Sequence, residues 1–487
     1  MFFSRGYSKG LFVILLIILS AGTAYAQATP ALPSGLMEET PDNHTFPPAL
    51  PTGLQPEKSP ELPQGISEDE SFNGKNIEAP KTARLPFDLT GFWELRAGRR
   101  LLQDSHEKST PLGESRLQIE IEKQWTNVGF KLTSDFIYDT VVTRNRIRLN
   151  RGEGWLDLRE ANVYFTPTHF MDVRVGRQVL TWGTGDMIFI NDLFPKGWNS
   201  YFIGRDPEYL KAPSDTVKVS LFSAFANLDI YYNPSFEPDR YIDGRRISYW
   251  NSYAGQRSGR NMIIRSRRPS EWFQDDEAGF RAFKNIRGYE LAFYGYRGFW
   301  KSPAGKDPVS QTAIFPDLNV YGGSLRGRAF NGIGHIELGY YDSNDDRGGD
   351  DPFIMNSEIR FLIGYEEEVA KDFTIGAQYY LEHMRHYGSY RKNIIRLEHP
   401  RDRHRHLFTI RPTKLLFKQN LTLSLFTYFS PSDSDGCLRP RVTCKISDEW
   451  TVEAGGNIFW GRHDYTFWGQ FEKNTNVFFS IRKYLNI

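Results

Sequence analysis

Seven charged residues crowd the stretch from Gly183 to Pro213: Asp186, Asp192, Lys196, Arg205, Asp206, Glu208 and Lys211, interleaved with Trp198, Tyr201, Phe202 and Tyr209. Carboxylates and cationic groups mixed in one segment make a local electric field rather than a bond-making centre, and flat aromatic faces add contact area. The chemistry that suits this mixture is reversible selection of polar solutes at a constriction. The apolar stretch from Met187 to Ile190 opposes full exposure, so the segment is expected to fold inward and narrow an aqueous path; an ordinary surface loop is the other reading.

Other reactive residue types are sparse. His383, His386, His399, His404 and His406 cluster, but Arg385, Arg391, Arg396, Arg401, Arg403 and Arg405 stand among them and would repel a metal ion. There is no Gly-x-Ser-x-Gly elbow. No catalytic residue, metal site or cofactor is therefore expected. Cys437 and Cys444 are expected to be free thiols: in one strand, seven residues at ~3.3 Å per residue put them about 23 Å apart on opposite faces. The longest predicted loop, about 234 to 274, carries Arg240, Arg245, Arg246, Arg257, Arg260, Arg265, Arg267 and Arg268. It reads as a solvated basic loop, with phosphates of outer-leaflet lipopolysaccharide or anionic solutes as the sharper alternative.

What must position these residues is a run of stretches, each about ten residues long, in which apolar and polar side chains alternate, joined in turn by a tight link and a long polar loop. A strand that faces lipid is apolar on one side only, and strands can cross a bilayer only when closed into a ring that leaves no backbone group unpaired. The pattern predicts an all-β, transmembrane antiparallel barrel of about eighteen strands. They fall near 89–98, 114–125, 127–139, 154–166, 170–181, 214–223, 225–233, 275–284 and 287–297, then 317–329, 333–343, 353–367, 371–384, 404–415, 419–430, 438–448, 450–460 and 475–487. Tight links at Thr126-Asn127, Asn285-Ile286, Asn331-Gly332 and Asp448-Glu449 make the parity even, with both ends on the periplasmic side. The final stretch, Val477 to Ile487, carries one apolar face, as an outer-membrane assembly signal does.

The same alternation turns Trp93 and Leu95 to lipid and Glu94 and Arg96 inward. Leu117, Ile119 and Ile121 oppose inward Arg116 and Glu120, and Phe130 and Leu132 oppose Lys131 and Asp135. Glu160, Arg174, Lys218, Arg281, Glu290, Glu337, Arg360, Glu382, Arg411, Glu453 and Arg482 also land inside. A polyanion or anion path would carry a one-sided basic ladder. Charges of both signs either pair across a closed interior or set a transverse field for polar or zwitterionic solutes.

Composition agrees with a barrel. Lys and Arg number 60 against 59 Asp and Glu, which argues against a nucleic-acid partner, and 36 Phe, 25 Tyr and 11 Trp fit interfacial girdles. A mean hydropathy of −0.51 is compatible with membrane insertion, because half of every strand and all loops face water. Arg5 and Lys9, an apolar core from Leu11 to Leu19 and Ala24-Tyr25-Ala26 read as a secretory signal peptide over 1–26. Residues 27–84, rich in Pro and Glu, read as a disordered periplasmic segment able to serve as a linker or to dock a periplasmic partner. The barrel takes 85–487. Expected partners are outer-membrane lipid, lipopolysaccharide and a polar small solute, and a homo-oligomer is allowed.

Residues 85–487 resemble the large porin-like outer-membrane barrels of Gram-negative bacteria, broadly similar to alginate-export and substrate-selective porins. Arg159-Glu160-Ala161, Gly176-Arg177-Gln178, Trp182-Gly183, Phe315-Pro316, Tyr340-Tyr341-Asp342-Ser343 with Asp345-Asp346, and Ser430-Pro431-Ser432-Asp433 carry the resemblance. It implies an outer-membrane channel for passive passage of polar solutes. The rivals are a closed-lumen barrel serving an export system and, more remotely, an outer-membrane hydrolase. Arg177 departs from the pattern: strict alternation turns it to lipid, unless Gly176 makes a β-bulge or the register is misassigned.

Overall fold

The computed structural model describes residues 86–142, 146–252, 254–395 and 399–486. The expected signal peptide and Pro-rich segment, Arg396 and Ile487 lie outside the described residues.

Eighteen strands form the main sheet among the described residues. They are β1 (Asp88–Arg100), β2 (Leu112–Gln124), β3 (Val128–Asp139), β4 (Leu156–Thr168), β5 (Met171–Gln178) and β6 (Ser214–Leu221). Next come β7 (Asn227–Asn233), β8 (Glu277–Ile286), β9 (Tyr289–Phe299), β10 (Asp317–Ala329), β11 (Gly332–Ser343) and β12 (Glu358–Ala370). The last are β13 (Phe373–Met384), β14 (His404–Leu416), β15 (Leu421–Ser430), β16 (Asp435–Lys445), β17 (Trp450–Gly461) and β18 (Asn476–Asn486). Each pairs antiparallel with the next, and β18 returns to β1, with Glu94 opposite Arg482 and, on the other side, Arg116. The ring has no free edge, as strands that cross hydrocarbon require.

Burial follows the period of two. In β1, Phe92, Glu94 and Arg96 are buried while Trp93 and Leu95 are exposed. The same exposed apolar face recurs round the ring at Val163, Ile230, Phe293, Tyr321, Leu338, Ile363, Phe408 and Phe479. This is the lipid-facing belt of an outer-membrane-type barrel. The turns at the end where β1 starts and β18 ends are tight; at Arg287 and Gly288, with φ of 53° and 84°, the backbone takes the left-handed pair that a two-residue hairpin needs.

All eighteen predicted strands are present, with shifted ends. The expected 438–448 strand is β16, three residues earlier, after a connection at 431–434 as short as the opposite turns; the 353–367 strand starts only at Glu358. Both cysteines lie in β16 and are free, Cys437 buried and Cys444 part-exposed beside lipid-facing Val442. Arg177 resolves differently from either alternative. The register shows no shift at Gly176, and Arg177 does continue the outward row of Val175, opposite Asp215. It is nevertheless buried, because its guanidinium donates to Leu149 O and Leu158 O and pairs with Asp215 at 3.0 Å.

Candidate functional site

The chain between β5 and β6, residues 179–213, leaves those strands for the opposite wall. Tyr428 of β15 donates to Met187 O at 3.0 Å and shares a hydrogen bond of 2.8 Å with the Tyr201 hydroxyl. Arg439 of β16 donates to Tyr201 O at 2.9 Å, Asn476 of β18 to Phe202 O at 3.0 Å, and Arg96 of β1 to Gly204 O at 2.8 Å. In an eighteen-strand ring, β15 stands about halfway round from β5 and β6, so a segment tied to all three crosses the barrel interior.

The local sequence makes this path. Helix α1 (Trp198–Ile203) ends at Gly204, whose φ of 88° supplies the left-handed cap. Asp206 then accepts from Glu208 N at 3.1 Å and opens a 3-10 turn at Pro207. Ile190, Phe194, Tyr201, Phe202, Ile203 and Leu210 are fully buried, each contributing about 1.5–3 kcal/mol over an exposed position for the large apolar ones. Phe202 packs at 5.5 Å on Phe459 and 4.9 Å on Phe471.

The seven charges of this segment divide by role. Asp192 and Lys196 are buried and paired with each other at 2.8 Å, and Lys196 also donates to Phe194 O; they hold the segment's shape. Arg205 is bound to Glu114 of β2. Asp186 pairs with Arg411 of β14 at 2.9 Å, and Asp206 with Arg482 of β18 at 3.1 Å. Glu208 lies 3.9 Å from Arg482 with its side chain 44% exposed. Lys211 is part-exposed and has no carboxylate partner among the described residues.

Burial pushes the Asp186 carboxyl up against the opposing pull of Arg411. For Asp206 burial also works upward, but the guanidiniums of Arg482, Arg441 and Arg96 outweigh it and hold the carboxyl below its ordinary value. Glu208 is pushed up to about 7, first by its removal from bulk water and then by the Asp206 carboxylate.

The wall around the segment is laced with ion pairs. Glu94, Arg96, Glu453 and Arg482 form a chain with contacts of 3.0 Å (Glu94 to Arg96), 2.8 Å (Arg96 to Glu453) and 3.0 Å (Glu94 to Arg482). Arg116 pairs with Asp135 at 2.6 Å and lies 4.2 Å over the Tyr209 ring. Lys131 bridges Glu160 at 2.9 Å and Glu120 at 3.7 Å, Lys218 faces Asp229 at 3.8 Å, and Arg281 pairs with Glu290 at 2.6 Å. Arg360 pairs with Glu358 at 2.8 Å, Glu382 with Arg401 at 2.6 Å, and Arg174 lies over the Tyr164 ring. Glu337 is buried and accepts five hydrogen bonds from Thr184, Gly185 and Asn191.

Several partners escaped the sequence. Asp157 and Arg159 are buried because the β3–β4 register shifts between Thr133 and Ser134, skipping Arg159. That bulge gives β4 two inward parities, and no single alternation captures both. Glu114, Arg439 and Arg441 follow the inward alternation of β2 and β16.

The arginine-rich loop is neither freely solvated nor a bare phosphate cluster. Arg240 makes two bonds to Asp157 at 2.7 and 2.8 Å, Arg246 is bound to Asp139, Arg257 pairs with Asp464 at 3.0 Å and Arg260 with Glu107 at 3.0 Å. Asp239, from the same loop, accepts from Lys196 N at 2.8 Å and Trp198 Nε1 at 3.0 Å, bracing the inner segment. Arg265 and Arg267 remain exposed. Among the described residues, no three His, Cys, Asp or Glu side chains converge as a metal centre would.

No protein-family model matches the chain and no curated protein does. Solved structures do. OccAB1 of Acinetobacter baumannii aligns with a TM-score of 0.50 at 10% identity, covering 82% of this chain and 96% of its own. OccK11 (OpdR) of Pseudomonas aeruginosa aligns at 0.49 with 8% identity, covering 82% and 96%. A triple mutant of Rhodopseudomonas blastica porin aligns at 0.36 with 10% identity, covering 82% and 100%. The chain has the fold of a porin-like outer-membrane β-barrel.

Proposed function

We propose that this protein is a passive outer-membrane channel for polar solutes, and not an enzyme, with residues 183–213 setting its width and selectivity. The observation that carries the reading is the crossing of the barrel by that segment, which brings Asp186, Asp206 and Glu208 beside Arg411 and Arg482 in the interior. Opposed charges across a narrow, low-dielectric passage act strongly on polar and zwitterionic solutes and weakly on bulk salt. Residues 1–26 are then a secretory signal, 27–84 a periplasmic extension and 85–487 the pore.

The dense pairing of Glu94, Arg96, Glu453 and Arg482 favours a second reading, a barrel closed by its own charges that serves an export system. Planar-bilayer recordings of the refolded full chain separate the two. Discrete conductance steps are expected; no step in repeated preparations that retain β-type circular dichroism overturns the channel.

A further inference from the structure

The outward face of β13 and β14 carries cationic side chains where a phosphorylated lipid would lie. Gln378, Tyr380 and Glu382 of β13 are buried, so Tyr379, Leu381 and His383 face outward; Leu407 and Thr409 of β14 are buried, so His404, His406, Phe408 and Ile410 do. Their pairing sets Tyr379 opposite Phe408 and His383 opposite His404. This face ends at the rim that carries the long connections.

From the apolar belt upward the face changes character in order. Ile410 and Phe408 come first, 52% and 44% exposed. Tyr379 and His406 follow, with hydroxyl and Nδ1 2.8 Å apart. Above them the rings of His383 and His404 lie 4.6 Å apart. Arg385 and Arg403 come last, exposed and with no carboxylate partner among the described residues. Arg401 and Arg405, two positions to either side of Arg403, turn to Glu382 at 2.6 Å and Asp433 at 2.8 Å. Among the described residues these two guanidiniums are therefore unpaired through their position and not through a shortage of acids nearby.

A lipid-facing strand tolerates polar side chains only at headgroup depth. Cationic and imidazole N–H donors stacked there meet the phosphates of the outer leaflet, and guanidiniums bind phosphate through two parallel hydrogen bonds. We propose that His383, His404, His406, Arg385 and Arg403 form a docking site for the phosphate groups of the outer-leaflet glycolipid. The occupant follows from depth and charge: the apolar side chains below meet acyl chains, and the donors above meet the phosphorylated sugar.

The test uses the full chain in detergent, with bis-phosphorylated lipid A and its dephosphorylated form as probes, read by native mass spectrometry. The intact protein is expected to retain the phosphorylated form about tenfold better, with Arg385→Gln/Arg403→Gln and His383→Gln/His404→Gln/His406→Gln each removing most of that preference. Arg265→Gln/Arg267→Gln, in the long outer loop, is expected to leave it intact. Equal retention of both lipids overturns the proposal, as does an unchanged preference in the arginine variant, whose two side chains are exposed and leave the fold alone. Loss of retention on adding EDTA also overturns it, since a divalent cation would then be the phosphate ligand.

Discussion

Asn191 donates both its backbone N–H, at 2.8 Å, and its side-chain amide, at 3.0 Å, to a single oxygen of Glu337, tying the crossing segment to β11 across 146 residues of sequence. The other oxygen takes Thr184 and Gly185. Hydrogen bonds to a charged acceptor contribute roughly 1.5–3 kcal/mol each, so Glu337→Ala is expected to free the start of the segment. Single-channel records should show larger, noisier currents than Glu337→Gln, which keeps part of the anchor. Identical traces for both variants and the parent would mean that Glu337 does not hold the segment in the conducting path.

Selectivity is expected to follow the two carboxylates beside Arg482. Arg205 is committed to Glu114, so neutralising it tests the anchoring of the segment more than its field. Asp206→Asn/Glu208→Gln should lower cation preference by about twofold or more, because charges in a low-dielectric constriction are weakly screened. Arg265→Gln/Arg267→Gln/Arg268→Gln should change it little. Reversal potentials in a salt gradient measure both; the opposite pattern would place the filter in the long outer loop.

The pH response has a definite sign. Glu208, pushed up to about 7, is ionised above that value and neutral below it, while Asp206 is held ionised by Arg482. Cation preference is expected to fall as pH drops from about 8 to about 6, and the step should vanish in Glu208→Gln. A step that survives in that variant would have to be assigned to another group.

Gly204 tests the inner turn. A Cβ there would lie 2.1 Å from the Phe478 ring, on a backbone with φ of +88°. The left-handed conformation alone costs a non-glycine residue roughly 1–2 kcal/mol, and the clash adds to it. Gly204→Ala is expected to unfold at lower temperature, seen as an earlier loss of heat-modifiable migration on gels; an unchanged midpoint would mean that the segment moves aside freely.

Most of the barrel was legible because its physics is local: a strand between lipid and water must alternate, and β1 does so residue by residue from Phe92 to Ala97. What escaped was either irregular or distant. The bulge at Arg159 changes parity within one strand, and Gly176, with φ of 123°, precedes an Arg177 that faces outward and is still covered. The pairing of Arg240 with Asp157 spans 83 residues, and no spacing rule links a loop arginine to a strand acid so far off. The composition of 183–213 pointed to an inward fold and left an ordinary surface loop as the other reading. It could not show which charges brace it and which face the passage, because that depends on the opposite wall.

The segment that crosses the interior grips both sides of the seam where the ring closes: Arg96 of β1 holds Gly204 O, and Asn476 of β18 holds Phe202 O, two residues earlier. A slip of one residue between β1 and β18 would invert one of the two strands, turning either Glu94 to lipid with Trp93 inward or Arg482 to lipid, and it would also pull these two grips out of step. The first and last strands of the main sheet thus share an internal ruler, two carbonyls two residues apart, that fits only the aligned seam.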